Sequence, residues 1–177
     1  MAGTLIQVST ETVTSTTNTV TLTGIDTDDV YMVAINGVTC DNKAVFGMRG
    51  TVRGSADSTS NYDRGVKSIK SLESFSNQAG QNSSSAQVAG NRLQNGVGVG
   101  ANAILYLHNF NDASEYSFVN IQTSTWREAS GSFAQQLSGE VGGFIHTVAQ
   151  ACDGLIFYMD LGTDNFTSGT FTLYKVV

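Results

Sequence analysis

The chain has 177 residues, enough for one domain that buries a full core without disulfides or a structural metal. Charged residues are only 14% of it and serine plus threonine outnumber them, while apolar residues reach 40% and recur in alternation, which excludes a disordered or highly charged class. The net charge of −6 argues against a nucleic-acid partner, and no stretch approaches the ~18 apolar residues of a membrane-spanning helix.

In chain order, Thr4–Ser9, Thr12–Thr23 and Val30–Ile35 read as strands rich in Thr and Val, with the second bending or breaking near Asn18. Asn36-Gly37 predicts a type I′ turn that sends Val38–Cys40 back along Tyr31–Ile35. Ala44–Arg53 is a strand carrying Gly47 and Gly50 at bulges or close approaches, and Gly54–Asn61 is loop. Residues 62–77 place Val66, Ile69, Leu72 and Phe75 at every third position, a spacing shared by a short helix and an irregular edge segment. Asn77–Asn91, polar and rich in Gly, Ser and Gln, reads as a long exposed loop.

Strand signals return in Ala101–Phe110 and Tyr116–Trp126, a hairpin around Asn109–Ser114, with one or two more strands in 131–151. The closing segment reads as a second hairpin, with Leu155, Phe157, Met159 and Leu161 on one side of its first strand and Phe171, Leu173 and Val177 on one side of its second. The sum is an all-β fold with little helix: a single domain over 1–177 and an antiparallel two-sheet sandwich of about eight to ten strands, of the jelly-roll kind.

Motifs for chemistry are sparse. Gly96-Val-Gly-Val-Gly100 precedes a strand and lacks the spacing of a phosphate-binding loop, so it reads as a pliable strand lead-in. His108 and His146 lie beside no nucleophile pattern and read as packed or interface residues. Asp26-Thr-Asp-Asp29 and the 109–115 turn could attract calcium, but Asx residues more commonly cap turns. Cys40 and Cys152 are too few for a disulfide framework. These readings point to a protein that is not an enzyme and carries no cofactor or metal. Met1-Ala-Gly-Thr-Leu-Ile-Gln has no cationic or apolar leader pattern, and the expectation is a soluble protein made in a cytosol.

Charge is unevenly laid out. Residues 43–92 hold seven bases against three acids, whereas the flanks on either side are acidic. Arg49, Arg53, Arg64, Lys67, Lys70 and Arg92 are therefore the candidate interface residues for an electrostatically complementary contact.

Asp29-Val-Tyr-Met-Val-Ala-Ile-Asn-Gly37, Ser60-Asn-Tyr-Asp63, Ala103-Ile-Leu-Tyr-Leu-His-Asn-Phe-Asn111 with Tyr116-Ser-Phe118, and Gly154-Leu-Ile-Phe157 with Ser168-Gly-Thr-Phe-Thr-Leu-Tyr174 together resemble small β-rich virion structural proteins of tailed phages, especially marine cyanophage-like ones. The resemblance covers most of the chain and lies in strand and turn patterns. It implies a virion location and a capsid decoration protein that binds the outer surface of the head, with the major capsid protein or other virion proteins and further copies of itself as partners, a trimer among the arrangements. The other function it implies is a tail-fibre or spike tip whose 77–91 loop and 109–115 turn bind a host surface glycan.

Overall fold

The computed structural model describes residues 3–93, 100–128, 135–159 and 163–177. Its strands are β1 (Leu5–Val13), β2 (Thr19–Thr23), β3 (Tyr31–Cys40), β4 (Ala44–Val52), β5 (Ser55–Ala56), β6 (Tyr62–Lys70), β7 (Ser76–Ser83), β8 (Ala86–Leu93), β9 (Ala101–His108), β10 (Ser117–Glu128), β11 (Gln135–His146), β12 (Gly154–Met159) and β13 (Phe166–Val176). No helix occurs among the described residues.

All pairings are antiparallel and fall into two sheets. The larger has the order β1-β13-β3-β9-β10-β11-β6-β7; the smaller has the order β2-β12-β4-β5, with β8 also on β4. The predicted sandwich is therefore present. Its eight-and-five division, with a β9-β10-β11 meander, does not establish a jelly roll.

Alternation explains the core. Val33, Ile35, Leu105, Leu107, Val119, Ile121, Phe171 and Leu173 point inward from the large sheet and meet Leu22, Phe46, Met48, Leu155, Phe157 and Met159 from the small one. At the centre, Phe46, Phe157, Phe166 and Phe171 sit with ring centroids 5.2–6.1 Å apart, tilted or edge-on, as their quadrupoles favour.

Several local expectations are corrected. β1 runs through Thr10-Glu11 to Val13, while the expected break near Asn18 is present, with β2 starting at Thr19. Asn36-Gly37 is no turn: β3 continues, and the step from Ile35 to Val38 opposite Ala103 to Ala101 makes it a bulge, with Gly37 at φ +60° and its N–H donated to Asn102 Oδ1. The extra residue uses the glycine's left-handed conformation without reversing the chain. Residues 62–77 contain strand β6, a turn and the start of β7. Asn77–Asn91 is not a loop, because β7 and β8 occupy most of it. β7 forms the polar edge of the large sheet while β8 crosses to the small one.

The closing segment is also no hairpin, since β12 and β13 lie in opposite sheets. Leu155, Phe157 and Met159 are buried as predicted; Val177 is exposed. Leu161 and most of the Gly96–Gly100 run lie outside the described residues. Cys40 and Cys152 are both buried and are not joined in a disulfide.

Replacing Phe157, which touches two of the other three rings, with alanine should lower unfolding free energy by about 3–5 kcal/mol. Urea denaturation should show this as a shifted midpoint with an unchanged slope.

Candidate functional site: the outer face of the large sheet

On the outer face of the large sheet, register places Asp63, Ile145, Phe118 and His108 side by side across β6, β11, β10 and β9. The next row is Ala79, Gly65, Gly143, Asn120 and Tyr106. Because Gly65 and Gly143 contribute no side chain and Ala79 only a methyl, the surface dips into a groove of about 700 Å³ walled by Phe118, Asn120, Asp63, Gln81 and Ile145. Phe118 is 44% exposed. The Asn120 and Gln81 amides make no hydrogen bond among the described residues, and Asp63 uses one oxygen, Oδ1, to accept from the Asn82 N–H at 2.7 Å. A smaller hollow on the same face is lined by Ala34, Asn36, Asn102, Ile104, Gln122 and Ser124.

The other end of this face is different. Trp126 pairs with Leu137, Ile69 sits opposite Gly139, and Ser71 bonds to the Leu137 carbonyl at 3.0 Å. Trp126, Leu137, Ile69, Leu72 and Phe75 are all exposed, Leu72 and Phe75 at about 60%. The turn bearing the last two is firmly built: Glu73 accepts from Arg127 Nη2 at 2.8 Å, Lys70 Nζ at 3.0 Å and Gln136 Nε2 at 2.6 Å. The Leu72 N–H donates to Gln136 Oε1.

Facing inward at the same end are Thr123, Thr125, Arg127, Gln136, Ser138, Glu140 and Ser68, every one buried. Polar residues thus point in and apolar ones out, the reverse of the usual half-buried strand.

The six basic candidates do not form one surface. Arg64 turns inward with its side chain 9% exposed and pairs with Glu140, itself 2% exposed. Arg64 Nη1 also donates to Gln78 and Gln87, and the Gly90 N–H donates to Glu140 Oε2. A Cβ at Gly90 would lie 2.6 Å from the guanidinium, so a larger residue there would have to displace Arg64 from this position. Arg49 donates to the Ser84 carbonyl and lies over the Tyr158 ring. Lys70 is bound to Glu73 and Lys67 to Asn77. Arg53 is exposed at the β4–β5 turn with φ +52°. The side chain of Arg92 lies outside the described residues. Charge counting along the chain could not foresee that Arg64 would be drawn between the sheets.

The acidic turns use their side chains locally. Asp112 accepts from the Ser114 N–H and hydroxyl, Asn109 donates to Glu115, and Asp26 accepts from the Tyr31 hydroxyl. His146 stacks on Tyr62 with centroids 4.5 Å apart, and its Nε2 lies 3.2 Å from Asp57 Oδ2 but poorly aligned for a hydrogen bond. Burial holds the imidazole below its ordinary pKa against the pull of Asp57. Cys152 lines the same small internal space, with burial and then the Asp57 and Asp153 charges raising its thiol to about 11.

Two expectations follow. Glu140→Gln leaves the guanidinium buried without its counter-charge and should cost about 3–5 kcal/mol, most of it recovered in the Arg64→Met/Glu140→Leu double variant, as urea titration of the three proteins can check. The unfolded chain binds the His146 proton more readily than the folded chain. Stability should therefore be full above pH 6.5, the unperturbed value, and fall as the pH drops through 6.5 toward the lower folded value. His146→Gln should remove that part of the slope in denaturation series between neutral and mildly acidic pH.

Comparison with protein-family models, characterised proteins and solved structures returns no match for this chain.

Proposed function

We propose that the protein is a non-enzymatic structural protein of a virion surface, a capsid decoration protein whose copies associate through the Trp126–Leu137 end of the large sheet. The observation that carries this reading is the reversed polarity of that end. A strand pair with Thr125, Arg127, Gln136 and Ser138 inside and Trp126 and Leu137 outside places its apolar side toward something other than its own core. Isolated exposed apolar residues are ordinary, but a contiguous group on a rigid support is the mark of an interaction surface. Depletion of charge at its centre suits contact between like subunits.

Attachment of such an assembly to a head would act by mass action, since whatever binds the assembled shell and not its separate parts stabilises the shell. Repetition over a symmetric lattice multiplies weak contacts. The major capsid protein and other virion proteins are the partners this reading requires.

A non-enzymatic role is supported by the chemistry around Cys152 and His146. A nucleophilic thiol needs a lowered pKa and access, whereas this one is buried and shifted upward. The tail-tip reading loses its proposed 77–91 loop, which is strand, but the Phe118 groove offers another surface for recognition.

Sedimentation velocity of the purified chain should show an oligomer that persists at high salt, because the patch is apolar and screening acts on exposed charge. Leu137→Glu and Phe75→Asp should each yield monomers with nearly unchanged thermal stability, as exposed substitutions usually shift stability by no more than about 0.5 kcal/mol. A wild-type monomer at every soluble concentration overturns the self-association. Antibody-labelled electron microscopy should place the protein in a lattice over the head; label confined to the tail overturns decoration.

A further inference from the structure

The groove beside Phe118 has a floor that the fold itself does not explain. Glycine inside a strand weakens it and usually marks a bulge, a bend or the close approach of another group. Gly143 has an internal reason, since a Cβ there would lie 2.4 Å from the Val119 carbonyl oxygen. Gly65 has none: it is not among the positive-φ residues, and a Cβ would meet nothing within 4 Å. The space above Gly65 is therefore open to a group from outside the chain.

The walls indicate what that group is. Phe118 offers an apolar ring face in the middle of the sheet, suited to the C–H face of a flat, partly apolar ligand. Around it stand the unpartnered amides of Asn120 and Gln81 and the free Oδ2 of Asp63, which together offer both donors and acceptors. Asn120 Oδ1 lies over the floor, 3.7 Å from the Cβ position of Gly143.

Beside the Asp63–Ile145–Phe118 row, the floor runs from Asn120 over Gly143 and Gly65 to Ala79, three strand spacings or about 14 Å, a width that admits one sugar ring. An added peptide strand could not pair within the groove, because β6, β10 and β11 already have neighbours on both sides and the open edge of β7 faces away from it. Anionic sugars are disfavoured: Asp63 stands at the rim, and Arg64, the base in the lining, turns its guanidinium inward to Glu140.

We propose that the Phe118–Asn120–Asp63–Gln81 groove binds a pyranose ring of an uncharged, hydroxyl-rich glycan, with Gly65 kept small to admit it. This site is separate from the self-association patch, since Phe118 and Trp126 are roughly 26 Å apart along β10 at ordinary strand rise.

The test is a titration of the full ¹⁵N-labelled chain, followed by amide shifts, with neutral trisaccharides built from glucose, galactose, mannose or N-acetylglucosamine, and with sialyllactose as the acidic comparison. At least one neutral trisaccharide should perturb the amides of Gly65, Asn120 and Gly143 and leave Trp126 and Leu137 unmoved. Phe118→Ala should weaken that binding by about tenfold. Gly65→Val should abolish it while thermal stability stays level or rises and sedimentation is unchanged, an outcome that a merely structural glycine would not produce. No response to any neutral trisaccharide, a preference for sialyllactose, or binding that survives Gly65→Val would each overturn the proposal.

Discussion

An eight-stranded sheet backed by a smaller one is the constraint from which the rest of this structure follows. Side chains alternate strictly along a strand, so every residue of β6, β10 and β11 must face either the interior or the outer surface. Where the small sheet lies opposite, the inward positions are Val119, Ile121, Phe144 and Val66, and the aromatic group around Phe46 fills the space between layers. Farther along the same strands, the inward positions become Thr125, Arg127, Gln136 and Ser138, held by bonds to Glu73 and to the backbone. The apolar residues of that stretch are consequently on the outside.

The polar interior has a cost and a use. Arg64 and Glu140 lose most of their hydration, and such a pair is compensated only if its remaining donors and acceptors are met. Gln78 from β7, Gln87 and the Gly90 N–H from β8 meet most of them. These contacts come from both sheets, so the network ties β8 to β6 and β11 at the point where the small sheet runs out. Hydrophobic packing without direction would allow the edge strands to slip; paired charges with specific amides do not.

The same alternation divides the outer face into two chemically distinct surfaces. Near Phe118 it is a glycine-floored hollow with free amides, and near Leu137 it is an apolar patch over a braced turn. A protein held on a larger assembly by one end could present the other to solvent. The decoration and recognition readings then describe two ends of one sheet rather than competing uses of one surface.

Strand content, the all-β class and the inward-facing positions in β12 and β13 were legible in the amino-acid sequence, because period two is a local property of each strand. Leu155, Phe157, Met159, Phe171 and Leu173 could be placed on buried sides without knowing their partners. What local pattern could not decide was where each strand goes. Asn36-Gly37 has the chemistry of a turn, yet pairing with β9 on one side and β13 on the other makes it a bulge. Residues 77–91 have the composition of a loop, yet neighbouring strands supply the hydrogen bonds that hold them extended. Arg64 looks like a surface base until Glu140, 76 residues away, draws it inward. The groove was hidden for the same reason: Gly65, Ala79, Asn120 and Gly143 are neighbours only through long-range register, and a concave floor is a property of adjacent strands that no single segment possesses.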